Sequence, residues 1–198
     1  MRWRMLLPAM TDLDDTALML RYADGDTGAF ETLYGLHRAP LFRFLLRQAG
    51  DRQMAEDIFQ EVWSRIISNS SNYRPTARFT TYLYHIARNC MIDQYRRAAT
   101  RPGIRNAEGS QIDQLVSADN PVANAARTEM LSSIEGALLN LTHEQREAFL
   151  LKEEGGFTLQ EISEITGVGR ETVKSRLRYA LGNLRKFLTA ADEVTLVK

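Results

Sequence analysis

Arg170, Lys174 and Arg178 follow one another at intervals of four residues, with Ser175 beside them. On an α-helix that spacing lines cations along one side. Their chemistry is that of donors to phosphate oxygens and guanine edges, with a hydroxyl able to join either. A second concentration of charge lies upstream: residues 74 to 105 hold Arg74, Arg78, Arg88, Arg96, Arg97, Arg101 and Arg105 against one acid, Asp93, a local surplus of six. Residues 170 to 186 hold six cations against Glu171, a surplus of five. The 198-residue chain has 25 basic and 25 acidic side chains and a formal charge of zero, so the remainder is acidic. Two basic patches on an acidic chain point to a polyanionic partner that the neutral total conceals.

Residues suited to catalysis are scattered. His37, His85 and His143 are far apart with no ligand spacing, and Cys90 falls on an apolar helix side, where a thiol serves as a small core residue. The sequence has no phosphate-binding glycine loop and no metal motif. The expectation is therefore no catalytic residue, no metal, no cofactor and no small-molecule substrate. A single Cys forms no internal bridge and suits a reducing compartment. The apolar run near the start, Met5, Leu6 and Leu7 before Pro8, is too short for a signal or a span, so a cytoplasmic protein is expected, with Met1 or Met10 as its start.

The elements that must position these residues read as helices. In AEDIFQEVWSRII (55 to 67), Ala55, Ile58, Phe59, Val62, Trp63 and Ile66 recur at helical spacing, opposite Glu56, Asp57, Gln60, Glu61 and Arg65. FTTYLYHIARNCMIDQYRR (79 to 97) forms a second helix, with Phe79, Leu83, Ile86 and Cys90 on its buried side and Tyr82 a candidate there. Between them SNSSNYRPTAR (68 to 78) is a polar loop broken by Pro75. Aromatic residues are absent from 96 to 148, and 100 to 120 lack an amphipathic repeat, which predicts a linker between two separately cored units. Its 21 residues would extend roughly 70 Å.

Beyond the linker a helix is expected from Asn120 as cap and Pro121, carrying Met130, Leu131, Ile134, Leu138 and Leu141 on one face, followed by EQREAFLLKEE. Thr158 and Glu161 make a capping box that opens TLQEISEIT, Gly167 stops it, and RETVKSRLRYALGNLRKFL begins at Arg170. Val173, Leu177, Leu181, Leu184 and Leu188 are its expected core side. A short helix, a glycine turn and a longer basic helix form the pattern of a helix-turn-helix reader. The fold class is all-α, and the expected divisions are an extension (1–13), a helical unit (14–99), the linker (100–120), a helix-turn-helix unit (121–190) and a tail (191–198).

From about Asp14 to Leu188 the chain resembles the extracytoplasmic-function sigma factors, small two-domain initiation factors of bacterial RNA polymerase. The motifs that carry the likeness are AFETLY (29 to 34), AEDIFQEVW, FTTYLYHIARN, Asp93 with Arg96 and Arg97, LTHEQREAFLL (141 to 151) and TLQEISEITGVGRETVKSRL. The resemblance implies that Asp57, Gln60 and Glu61 dock the largest polymerase subunit, with the second-largest also a partner. It places Asn89 beneath a base pulled from the stack and Tyr73 in the loop that forms the pocket. Arg65, Arg74, Arg78, Arg96 and Arg97 become contacts to the minus 10 promoter element. Arg170, Lys174, Ser175 and Arg178 would read the minus 35 element, with Arg176 and Tyr179 on its backbone. An anti-sigma factor, often anchored at the inner membrane, is a further implied partner.

Some positions depart from the family pattern: Tyr82 stands for a usual Trp, Thr142 for Pro, Ser163 for Ala and Gly169 for a capping Ser. None removes a groove-facing charge. The competing reading is a stand-alone helix-turn-helix regulator, which would bind its operator without polymerase.

Overall fold

The computed structural model describes residues 7–100 and 134–195, and every regular element among them is helical. The elements are α1 (Leu7–Ala23), α2 (Thr27–Ala49), α3 (Arg52–Ser68), a 3-10 turn (Ser70–Asn72), α4 (Phe79–Thr100), α5 (134–139), α6 (His143–Glu153), α7 (Leu159–Thr166) and α8 (Arg170–Thr195). The expected linker, the Asn120 and Pro121 cap, Met130, Leu131, Arg101 and Arg105 lie outside the described residues.

Local chemistry explains where helices begin. Asp26 accepts from the Ala29 amide at the head of α2, and Asp51 does the same for Met54 at the head of α3, each satisfying an amide the helix leaves open. Thr158 and Glu161 form the reciprocal capping box at α7. Two ends use glycine in the left-handed region, Gly50 after α2 (φ 70°) and Gly167 after α7 (φ 68°), where a β-carbon would be strained. Gly50 has a second role: a β-carbon there would meet Leu139 Cδ2 at 2.8 Å.

The helices bury the expected stripes with instructive exceptions. Ala55, Ile58, Val62, Trp63 and Ile66 of α3 are buried, and Phe59 is partly so. On α4, Phe79, Leu83, Ile86 and Cys90 are buried and Tyr82 half-buried, but Tyr84, Ala87 and Met91 are buried too. Tyr84 meets Phe44 of α2 and Phe157 of the carboxy-terminal unit at 5.0 Å each, so α4 is covered from two directions. On α8 the buried line is Val173, Ala180 and Leu184, with Leu177 packed beside it, whereas Leu181 is 52% exposed. Successive residues turn by about 100°, which carries Leu181 off the side where Ala180 sits. The Leu188 side chain lies outside the described set.

The two units share one apolar cluster. Ala137, Leu138, Leu141, Leu150, Leu151 and Phe157 join the core built by α1 to α4, and α7 packs on α4 while α6 packs on α2. The expectation of separate cores fails because the aromatic gap marks a stretch of chain, while Phe157 on the far side of it reaches back to Tyr84.

Two measurements check this packing. Burial pushes the Cys90 thiol up to about 11, so the folded chain should react with a thiol reagent at neutral pH far more slowly than the denatured chain. Thr158→Ala removes the cap of α7 and should cost about 1 kcal/mol in denaturant titration.

Candidate nucleic-acid and polymerase interfaces

The acidic side of α3 is not uniform. Asp57 and Gln60 are exposed, and Asp57 accepts from the Gln53 amide at 3.2 Å. Glu61 is half-buried and committed: its Oε1 accepts from Arg65 Nη2, and its Oε2 lies 3.3 Å from Arg97 Nη1. Arg65 also donates to Asp93 Oδ2 at 2.9 Å, joining α3 to α4. The hydrogen bond from Arg65 holds the Asp93 carboxyl below its usual range, and Asp93 in turn raises Arg65. Glu61, expected to face polymerase, and Arg65 and Arg97, expected to face DNA, thus belong to one network. Asp93 is the member that the charge map counted only as an exception among arginines.

The loop before α4 is closed over an aromatic cluster. Tyr73 is 4% exposed, with its ring 5.2 Å from Tyr82 and 6.4 Å from Phe79. Burial raises its phenol, and a hydrogen-bonding interaction with the Thr16 side chain of α1 pulls in the opposite direction. Phe79 continues to His37, at 5.5 Å between rings, and His37 Nε2 lies 2.8 Å from the buried Asp15 Oδ2. Asp15 and His37 therefore brace the loop from beneath, a role that nothing in their separation of 22 residues suggests. Asn89 is half-buried, with its amide 3.4 Å from His85 Nδ1. Arg74 is exposed at its head and donates to the Tyr73 carbonyl at 3.0 Å. Arg78 Nη1 donates to Glu161 Oε1 at 2.8 Å, and Arg96 is exposed.

On α8, Arg170, Lys174 and Arg178 are exposed on the first turns, and Ser175 is half-buried between them. The preceding α7, with its double cap and glycine stop, fixes the angle at which α8 leaves the turn. Ser163 donates to the Val168 carbonyl across that turn at 2.5 Å, a bond that Ala at this position would lack. Tyr179 is exposed, with the Arg178 guanidinium 5.2 Å from its ring centre. Arg176 differs from its neighbours: it is half-buried, with Nη1 out of solvent, and its charge acts on Glu147 and Glu144. Lys174 is held by Glu171 at 2.7 Å, and this bond keeps the Glu171 carboxyl below its usual range.

The molecule thus presents a row of exposed cations on α8 and, apart from it, an aromatic loop that carries Arg74 and Arg78. The Sigma-70 region 2 family model matches residues 33–101, and the Sigma-70, region 4 model matches residues 131–184. Together they span more than half the chain. The chain belongs to the extracytoplasmic-function (ECF) RNA polymerase sigma factors. It is 33% identical over 164 residues to the ECF RNA polymerase sigma factor SigL of Mycobacterium tuberculosis, across 82% of this chain and 90% of that one. It is 29% identical over 172 residues to SigW of Bacillus subtilis, across 83% and 91%. Among solved structures, CnrH in complex with the cytosolic domain of CnrY shares the fold, with a TM-score of 0.67 and 22% identity over 89% of this chain and 98% of that one.

As a sigma factor, the chain directs core RNA polymerase to promoters, and its helix-turn-helix is region 4. Among the described residues no helix is long and apolar enough to cross a membrane, and no three His, Cys, Asp or Glu side chains are grouped to hold a metal ion.

The Glu171 contact sets an expectation. Glu171→Ala frees Lys174 and removes an anion, so it should tighten the binding of the polymerase complex to promoter duplex, whereas Lys174→Ala should weaken it and flatten the salt dependence. Anisotropy titrations at several salt concentrations read both.

Proposed function

We propose that α3 docks core polymerase through Asp57, Gln60 and Glu61, that the loop 68–78 and α4 hold the melted minus 10 strand, and that the amino-terminal half of α8 reads the minus 35 duplex. The observation that carries this division is the exposure of Arg170, Lys174 and Arg178 on one helix whose opposite side is anchored by Val173, Ala180 and Leu184. A rigid base with three exposed donors, Lys174 among them exchanging Glu171 for the DNA, suits a major groove.

The minus 10 assignment is built from Tyr73, Asn89, Arg65, Arg74, Arg78, Arg96 and Arg97. Capturing an extruded base stabilises only the melted state, which biases the duplex toward opening against an unstacking cost of a few kcal/mol. Tyr73 fills the interior of its loop, so entry of a base there requires the ring to move. Asp57 and Gln60 are the accessible part of the polymerase contact, and Glu61 serves it after exchanging Arg65 or Arg97 for the new partner. On α8, Ser175 is a hydroxyl contact and Tyr179 a backbone contact. Arg176 acts on the DNA after turning outward from Glu147.

The protein acts in the cytoplasm and contributes binding energy to promoter opening with no chemistry of its own. An anti-sigma factor controls it, at the inner membrane where that partner is anchored; the likeness in fold to the sigma factor RpoE of Bartonella quintana, solved in complex with the anti-sigma factor NepR, supports this reading.

Lys174→Ala and Arg178→Ala should each lower promoter binding by about tenfold, the scale of one lost base-edge contact, and change minus 35 preference in a promoter library while polymerase association is unaltered. Asp57→Ala with Glu61→Ala should do the reverse in a pull-down. A run-off assay with and without core enzyme tests the whole: a stand-alone regulator would show site-specific DNA binding alone, and a sigma factor gives promoter-specific transcript with core enzyme.

A further inference from the structure

Asp15 and Thr16 are neighbours on α1, and both act on the loop that precedes α4. Asp15 is 1% exposed, and its Oδ2 lies 2.8 Å from His37 Nε2 on α2. Its Oδ1 has no hydrogen-bond partner among the described residues, so His37 is the group that answers the burial of this carboxylate. A carboxylate only accepts, so Nε2 carries the hydrogen, and the bond holds the imidazole in one rotation. That ring faces Phe79, the first residue of α4, at 5.5 Å between centres. Phe79 in turn meets Tyr73 and Tyr82, each at 6.4 Å. Thr16 reaches Tyr73 directly, through a hydrogen-bonding interaction between their side chains. The 3-10 turn Ser70–Asn72 that leads into Tyr73 also packs on α1. Helix α1 and the histidine it holds are therefore the floor of the loop.

We propose that Asp15, His37 and Thr16 are positioning residues for capture of the extruded minus 10 base, holding the aromatic walls of the loop in the geometry that selects it. The inference deepens the reading of loop 68–78 with Asn89 as the minus 10 pocket, and rests on it. Tyr73 fills the interior of the loop, so a base enters as that ring leaves. For the vacated space to select one base, its other walls must keep their places during the exchange. Phe79 and Tyr82 are those walls, and they have the flat faces on which a base stacks. The bond between Asp15 and His37 fixes Phe79 from beneath, and Thr16 sets the position to which Tyr73 returns. Two leucines in place of Asp15 and His37 would fill the same floor, since replacing both partners of a buried bond by apolar groups costs little stability. The polar pair differs in having a single geometry, because His37 must keep Nε2 on the carboxylate.

Run-off transcription by the full chain with core polymerase, from a promoter library randomised across both elements, tests this. Asp15→Leu with His37→Leu should lower the preference at one minus 10 position by about fivefold or more, the low end of a lost base stack. Preferences at the other minus 10 positions and across minus 35 should stay at their wild-type values. His37→Gln, whose side-chain amide can donate to Asp15 in place of Nε2, should keep the wild-type preference throughout. A floor that only supports the fold would instead lower output with preferences intact, or relax every position alike, and either result overturns the proposal. His37→Gln as impaired as the leucine pair overturns it too. If the leucine pair proves unfolded by circular dichroism, Thr16→Val decides alone: loss of that hydroxyl should relax one minus 10 position, and an unchanged preference overturns the proposal. A wild-type holoenzyme with no preference at any minus 10 position would refute the minus 10 reading and the inference with it, a result distinct from a wild-type preference that the variants leave intact.

Discussion

Helix ends leave carbonyls without partners, and the junction of the two halves of this sigma factor is built on that need. Arg146 gathers four of them: Leu138, Leu139 and Leu141 from the end of α5, and Gln48 from the end of α2. A planar guanidinium can do this because its five donors point in fixed directions, and the negative ends of two helices favour a cation there. Tyr95 adds its hydroxyl to the Gln48 carbonyl at 3.4 Å. Burial lowers Arg146 from its usual range, the expected cost of withdrawing a cation from water. With these carbonyls satisfied, α6 can lie on α2 and the apolar residues behind it can join one core.

The same junction relates function to fold. Region 4 presents its reading helix outward while its acids face region 2, so the charge asymmetry does two things at once. The cations at the start of α8 are exposed, and the carboxylates of Glu147, Glu154 and Glu161 neutralise Arg88, Arg47 and Arg78. Within region 2 a second network follows the same logic: Glu61, Arg65, Asp93 and Arg97 bind α3 to α4 with side chains that also lie where polymerase and DNA are expected. A protein that exchanges partners during initiation gains from contacts that are satisfied in every state, since a charge stripped of one partner at a dry surface is costly unless another replaces it.

Much of this was legible without coordinates. The stripe on α3, the capping box at Thr158 and Glu161, the glycine stop at Gly167 and the row Arg170, Lys174 and Arg178 all depend on neighbours within a few turns, and periodicity reports such neighbours directly. Where the reading fell short, the cause was contact at long range. Leu181 belongs to the apolar repeat yet is exposed, because none of the described elements covers that edge of α8. Tyr84 was not assigned to a core because its partner Phe157 lies across the aromatic gap. Tyr73 was placed correctly in the loop, but its burial depends on Phe79 and Tyr82 closing over it.

By itself, then, the sequence determined the helical class, the order of the helices, their caps and the row of exposed charges on α8, because each follows from the backbone's own hydrogen-bonding needs and from the 3.6-residue turn. It also contained, hidden in a sum of zero, the opposition of basic and acidic segments. Only the tertiary structure decided which acid meets which base. Glu147, Glu154 and Glu161 are ordinary surface-type residues until folding brings them against Arg88, Arg47 and Arg78, and Asp15 and His37 are unremarkable until they meet beneath the loop that precedes α4. Charge is written residue by residue, but its consequence depends on distance, and distance between remote residues exists only once the core has formed.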